Sequence, residues 1–353
     1  MKGCSASAVS LCRTTGELFD IVYNCLGKFV KYGYLYPTTK SQGGFSKMEQ
    51  IRSLDQLLEY AKQVGPMKIS VACAEDAEVM EAVENARKAG IANAFLVGNA
   101  DKIKEVADKL GVDLANFDVV DERGGEAPAA LKAVELVSSG QAQIVMKGMV
   151  ATANFLRGIL NKEKGLRSGK TLSHVYIHQI KGYDRIFFVS DPAFNMYPEL
   201  KVKIDIVKNV VELAHAFGVE CPKVAALAAV EVVNPDMPPT VDAALLTQMN
   251  RRGQIKGCLI DGPLALDNAV SPESAHHKGI KSDVAGYADI LHVPTIESGN
   301  MLAKAIVYFS ENKTAGIVLG AAAPVVLTSR ADSAEAKLLS IASAVALAAH
   351  KNK

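Results

Sequence analysis

Short apolar runs alternate with amphipathic stretches along most of the chain. Runs at 69–72, 94–97, 117–120 and 144–146 predict strands, and apolar residues at helical spacing over 51–63, 76–89, 100–110 and 127–138 predict helices. This alternation is the mark of βαβ units, hence of a mostly parallel sheet covered on both faces, with ligands expected beyond the carboxyl ends of its strands. After a polar stretch at 165–169 a second alternation begins. Its strands fall near 173–178, 185–190, 223–229, 256–260 and 289–293, and its helices near 198–216, 240–251 and 299–309. The run 316–320 reads as another buried parallel strand, and Leu338, Leu339, Ile341, Val345 and Leu347 give a last helix its apolar positions from about Ser333. Asp332 and Glu335 stand three apart, as an N-cap and its reciprocal partner do.

The polar stretch predicts a domain boundary near Ser168. The expected fold class is α/β with two mostly parallel domains: 48–168 together with 317–353, and 169–316. Residues 1–47 do not follow the alternation; they hold seven aromatic residues, Phe19 to Phe45, and three of the six cysteines. They read as an extension ahead of the fold, the alternative being a helix near 17–30 that packs on the body or a partner.

At net charge +1 the chain has no field suited to nucleic acid or an anionic membrane, so a small-molecule ligand at a local site is expected. No apolar run is long enough for a transmembrane helix, and no signal-peptide pattern opens the chain, which predicts a cytoplasmic protein. The cysteines lack CxxC spacing, and the histidines at 174, 178, 276 and 277 fall in no metal-binding frame, so no metal is expected. No G-x-G-x-x-G follows the first strand; Cys73-Ala74-Glu75-Asp76 occupies that turn.

Candidate chemistry collects at turns. Thr328-Ser329-Arg330 lies between the run at 316–320 and the last helix, which sets a hydroxyl and a guanidinium beside the positive end of a helix, a place that favours an anion. Lys147 ends the fourth strand, Thr152 is placed to cap the helix that follows, and Arg157 falls on that helix's second turn. In the second half the turns are 234–239 with Thr240, Asp261-Gly262-Pro263 with Asp267, and Glu297-Ser298-Gly299-Asn300. Ser298 and Thr240 read as N-caps, and Asp261 and Asp267 offer carboxylates to hold a water, a thiol or a substrate group.

Five ordered blocks, KGMVATANFLRGIL, PKVAALAAVEVVNPDMPPTVDAA, DGPLALDNAVS, ADILHVPTIESGNMLAKA and VVLTSRADSAEAKLLSIA, together resemble the phosphate acetyl/butyryltransferase family from about Met48 onward. The resemblance implies two α/β domains with a cleft between them, as in the isocitrate and isopropylmalate dehydrogenases, and a C-terminal segment that returns to the first. It implies acyl transfer between acyl-CoA and inorganic phosphate with no covalent acyl-enzyme, no resident cofactor, coenzyme A as a substrate, and a homo-oligomer. By position in its blocks, Ser329 is expected to stabilise the transition state, Arg330 to bind phosphate, and Arg157 to be the second arginine. Lys147, Thr152, Asp261, Ser298, Gly299 and Asn300 are expected to line the substrates. The acetyl branch carries an aspartate seven residues after the serine as thiol base, whereas this chain has Ala336, which leaves Asp267 as a candidate and Glu335 as one committed to the helix cap. The stretch 230–239 also departs from the Gly/Ser/Thr-rich turn of the acetyl branch, which points to butyryl-CoA. The alternatives are a phosphate acetyltransferase, a dehydrogenase of the same fold, which would need an acidic metal cluster not found in the sequence, and a CoA- or phosphate-binding homologue impaired in turnover.

Overall fold

The computed structural model describes residues 49–328 and 332–352. The expected extension at 1–47 and the pair Ser329 and Arg330 lie outside the described residues. The strands are β1 (Met67–Ala72), β2 (Ala92–Gly98), β3 (Asp118–Asp121), β4 (Ile144–Lys147), β5 (Ser173–Ile180), β6 (Ile186–Ser190), β7 (Lys223–Leu227), β8 (Leu259–Leu264), β9 (Ile290–His292), β10 (Asn312–Leu319) and β11 (Val325–Val326). The helices are α1 (Leu54–Val64), α2 (Ala77–Lys88), α3 (Ala100–Leu110), α4 (Glu126–Ser138), α5 (Thr152–Ile159), α6 (Leu200–Ala216), α7 (Pro238–Arg251), α8 (Leu266–Val270), α9 (Pro272–His277), α10 (Ile296–Phe309) and α11 (Ala334–Lys351).

All eleven strands join one sheet in the order β3-β2-β1-β4-β11-β10-β5-β6-β9-β7-β8. Two parallel blocks, β3-β2-β1-β4-β11 and β6-β9-β7-β8, flank a centre in which β10 runs antiparallel to β11 and to β5, and β5 antiparallel to β6. The α/β class with a mostly parallel sheet is as expected. The run at 316–320 is not a parallel strand, however: it is the end of β10 and antiparallel to both neighbours. An apolar run buried on both faces carries no mark of direction, and here the direction is set by the partner strands.

Local chemistry places the helix starts. Ser53, Asp76 and Asn99 each accept from a backbone N–H in the first turn of α1, α2 and α3. Ser333, not Asp332, caps α11 by accepting from Ala336 N. Glu335 is likewise not in a capping box; it stands 3.2 Å from Lys313 Nζ. With a short Ser available one residue later, the helix begins at Ala334. Its Ala- and Ser-rich sequence is buried from Ala336 to Ala348 apart from the half-exposed Leu338, as expected of a helix covered all round. Ser340 Oγ accepts from Gly316 N at 2.9 Å and donates to Ala336 O at 2.7 Å, so this helix is bonded directly to the central strand.

Three histidines are buried in this core without full pairing. His174 Nδ1, His178 Nε2 and both ring nitrogens of His292 lack a partner among the described residues. Burial pushes His174 down to about 4, His178 to about 4 with help from His174, and His292 to about 3 with help from Lys203. A histidine depressed in the folded state contributes stability in full above its unfolded value of 6.5, and that contribution is lost as pH falls through the folded value. The melting temperature should therefore fall steadily from about pH 6.5 towards 4. His292→Leu should make that fall shallower by about one proton's worth of slope. Thermal melts of both proteins across the window check this, and identical slopes would contradict it.

Candidate active site

The turn after β4 is built against the turn after β1. Gly148 N donates to Ala72 O and Met149 N to Cys73 O, both at 2.8 Å. Cys73 itself takes a left-handed backbone, φ 54°, uncommon for a residue with a Cβ. Lys147 ends β4 with Nζ 3.2 Å from Gly148 O. Its charge acts on both the Cys73 thiol and the Glu126 carboxyl. Burial, reinforced by Glu75 and Glu126 and only partly offset by Lys147, pushes the Cys73 thiol up to about 12. At neutral pH it is a protonated thiol and a poor nucleophile.

α5 opens from this turn. Thr152 does not cap it: Ala151 holds the N-cap position and makes no side-chain cap bond. The backbone donor of Ala151 is taken instead by Glu126 Oε2 at 3.0 Å, an oxygen that also accepts from Asn154 Nδ2 at 3.0 Å. These two donors, in that order, and the charge of Lys147 hold the Glu126 carboxyl below its ordinary range. Asn154 Oδ1 in turn accepts from Arg157 Nη1 at 2.7 Å. Arg157 is exposed, and no carboxylate pairs with it among the described residues. Lys147, Thr152 and Arg157, three predicted residues, thus share one turn and the helix it starts.

β11 brings the second predicted element to the same edge. It pairs in parallel with β4, Val326 opposite Met146, so the chain leaving β11 through Leu327 and Thr328 emerges beside Lys147. Asp332, two residues beyond Arg330 in sequence, acts electrostatically on Tyr176 of β5: burial first, then the Asp332 charge, raises that phenol above its ordinary value.

The remaining predicted residues gather in the other parallel block. Asp261-Gly262-Pro263 is not a turn after a strand but lies inside β8, and Asp261 stands 3.9 Å from Arg251. Asp267 is exposed in the first turn of α8, 3.8 Å from Lys278, which also meets Glu231 at 3.3 Å. Ser298 is not an N-cap: Thr295 caps α10, and Ser298 Oγ completes the capping box by accepting from Thr295 N and donating to Thr295 O. Nor is Thr240 a cap; it lies within α7, its hydroxyl donating to Asn234 O and Met237 O. Gly299 packs so closely on the turn after β6 that an added Cβ would sit 3.0 Å from Asp191 O, and Asn300 Nδ2 donates to Pro192 O at 3.3 Å.

Two residues not singled out in the sequence organise these turns. Glu126 looks like an ordinary acidic residue in a first helical turn, and only the fold shows that it reaches across to α5. Asp191 is buried and accepts from the N–H groups of His174, Ala193, Phe194 and Asn195 and from Asn195 Nδ2, which fixes the turn beneath Gly299. The signal available for it was the Asp-Pro pair after an apolar run.

The family model for phosphate acetyl/butaryl transferase matches residues 53–129 and 126–345. Phosphate butyryltransferase from Clostridium acetobutylicum is 55% identical over 301 residues, covering 85% of this chain and all of that one. The crystal structure of a branched-chain phosphotransacylase from Enterococcus faecalis superposes with a TM-score of 0.71 at 33% identity, covering 80% of this chain and 99% of the other. 4-Hydroxythreonine-4-phosphate dehydrogenase from Klebsiella pneumoniae, at 11% identity and a TM-score of 0.52 over 80% of this chain and all of the other, shares the fold. The chain belongs to the phosphate acetyl/butyryltransferase family, and it is an acyltransferase.

The contact between the two turns gives a direct test of their rigidity. A Cβ at Gly148 would strike the Cys73 carbonyl and come within 2.5 Å of Ala72 O, both of them backbone atoms. Gly148→Ala should cost about 1–3 kcal/mol, the range for overpacking a close contact. Denaturant melts measure it, and an unchanged midpoint would show that the turns are not in register-tight contact.

Proposed function

We propose that this acyltransferase moves a butyryl-sized acyl group reversibly between coenzyme A and inorganic phosphate by direct attack in a ternary complex. One observation carries the phosphate site: Arg157 is an exposed guanidinium tethered only to a neutral amide and facing no carboxylate among the described residues. An arginine so held keeps its full charge and its planar fork for two phosphate oxygens. Lys147 and Thr152 lie at the same turn, and Arg330 would complete the anion site from the end of β11.

In the forward step a phosphate oxygen attacks the thioester carbonyl carbon, and the carbonyl electron pair moves onto its oxygen. Ser329 donates to that oxyanion as it forms. Collapse re-forms the carbonyl and breaks the C–S bond, releasing CoA thiolate, which takes a proton; among the described carboxylates we assign that proton's handling to Asp267, which is exposed in its block. The raised Cys73 thiol supports direct attack, since it would be a poor acyl acceptor.

The fold likeness supports reading the two parallel blocks as two lobes, 48–168 with 317–353 and 169–316, with the substrates in a cleft between them. The outer face of α10, where Met301, Tyr308 and Phe309 are 66, 70 and 89% exposed, is the surface we assign to contact between copies of the chain. The reading places the enzyme in the cytoplasm, with coenzyme A as a substrate and not a resident group.

Thiol release from butyryl-CoA should require phosphate, and kcat/KM should be higher for butyryl-CoA than for acetyl-CoA. Two methylenes buried at ~0.8 kcal/mol each set a ceiling of roughly tenfold to twentyfold. Equal or better kcat/KM with acetyl-CoA would assign the chain to the acetyl branch.

The two residues of the 329–330 pair should fail differently. Arg330→Lys keeps a charge but loses the fork, so KM for phosphate should rise, with some loss of kcat. Ser329→Ala should lower kcat by about tenfold to a thousandfold with little change in either KM. Folded variants with parent kinetics would remove both residues from the site.

A further inference from the structure

We propose that Glu126 and Asn154 are positioning residues that aim Arg157 at an anionic substrate group, through the chain Glu126 carboxylate, Asn154 amide, Arg157 guanidinium. This rests on the reading of Arg157 as a substrate-binding residue. The chemistry of the three groups fixes how they must be arranged. A carboxylate only accepts hydrogen bonds and a guanidinium only donates them, whereas a primary amide does both from opposite ends. Asn154 is oriented accordingly, with Nδ2 on Glu126 Oε2 at 3.0 Å and Oδ1 on Arg157 Nη1 at 2.7 Å. If the amide turned over, its oxygen would face the carboxylate and its NH₂ the guanidinium, and both contacts would be lost. The carboxylate therefore selects the orientation that holds the arginine.

The carboxylate is itself anchored from outside α5. Glu126 is the first residue of α4, and Oε2 also accepts from Ala151 N at the start of α5. The aim of Arg157 is thereby tied to the junction of two helices and not only to its own long side chain. The amide also acts as a spacer. A direct Glu–Arg pair would neutralise the guanidinium, as happens at Arg87, which Glu84 holds at 2.7 Å, and at Arg123, which Asp121 holds at 2.8 Å. One neutral link gives Arg157 a fixed direction without consuming its charge.

The test is a double-mutant cycle on steady-state kinetics with butyryl-CoA and inorganic phosphate. Asn154→Ala should raise the KM for the anion Arg157 binds by about threefold to tenfold, the scale for freeing one long side chain, with kcat much less affected. Combined with Arg157→Ala it should add nothing further. Glu126→Ala should behave in the same way, while Glu126→Gln, which keeps an acceptor oxygen for both donors, should recover much of the loss. A rise confined to the phosphate KM assigns inorganic phosphate to Arg157, and a rise confined to the acyl-CoA KM assigns the phosphates of coenzyme A; either supports the relay. The proposal is overturned if Asn154→Ala leaves both KM values unchanged, or if its effect persists undiminished when Arg157 is already Ala, which would make its role structural. Parent protein that shows no phosphate-dependent thiol release would instead sink the functional reading on which the relay rests.

Discussion

The insertion of β10 between β11 and β5 is the constraint on which the molecule depends. Together with β5 it joins two parallel blocks that run in opposite directions, through three successive antiparallel pairings: β11 with β10, β10 with β5, and β5 with β6. Close packing makes the insertion possible. Gly316 faces the His174 ring, where an added Cβ would sit 3.2 Å from Nε2, and its amide is satisfied by Ser340 from the covering helix. β11 lies between β10 and β4. That brings Leu327 next to Lys147, although about half the chain separates them in sequence.

Much of this architecture was legible because it rests on local rules. Ser53, Asp76 and Asn99 cap where capping residues precede a periodic stretch, and the strands read as apolar runs because both sheet faces are covered. What local rules do not encode went astray. The direction of β10 is a property of its neighbours. Asp-Gly-Pro at 261–263 has turn composition, yet pairing with β7 keeps it in a strand with a register shift opposite. Asp332 and Ser333 are both good caps, and only one of them lies at the helix start. At the candidate site, Lys147 is expected from its strand-end position and Arg157 from the family blocks, whereas the contact of Glu126 with α5 exists only once α4 and α5 come together.

Electrostatic economy separates the site from the rest of the surface. Lys203 is buried and offset by Asp242 at 2.6 Å, and Lys337, also buried, meets Glu78 at 2.7 Å. Such pairs are required by burial, because an unpaired charge out of water is costly. Arg157 obeys a different rule. It is exposed, so water bears the cost of its charge, and its one described partner is neutral. A cation left unneutralised yet held in direction suits the anion recognition proposed for Arg157, since it loses little further freedom when a ligand arrives.

This bears on the proposed transfer by direct attack. The Cys73 thiol at the β1 turn is raised to about 12 by burial and two carboxylates, which removes it as an acyl carrier near neutral pH. In the proposed direct attack the nucleophile is phosphate itself, and the protein's contribution is placement: holding an oxygen of one substrate against the carbonyl carbon of the other, where effective concentrations gained by orientation are largest. Placement is only as good as the rigidity behind it. The paired turns at Cys73 and Gly148, bonded backbone to backbone, and the carboxylate that ties α4 to α5 supply that rigidity at the edge where β4 and β11 end.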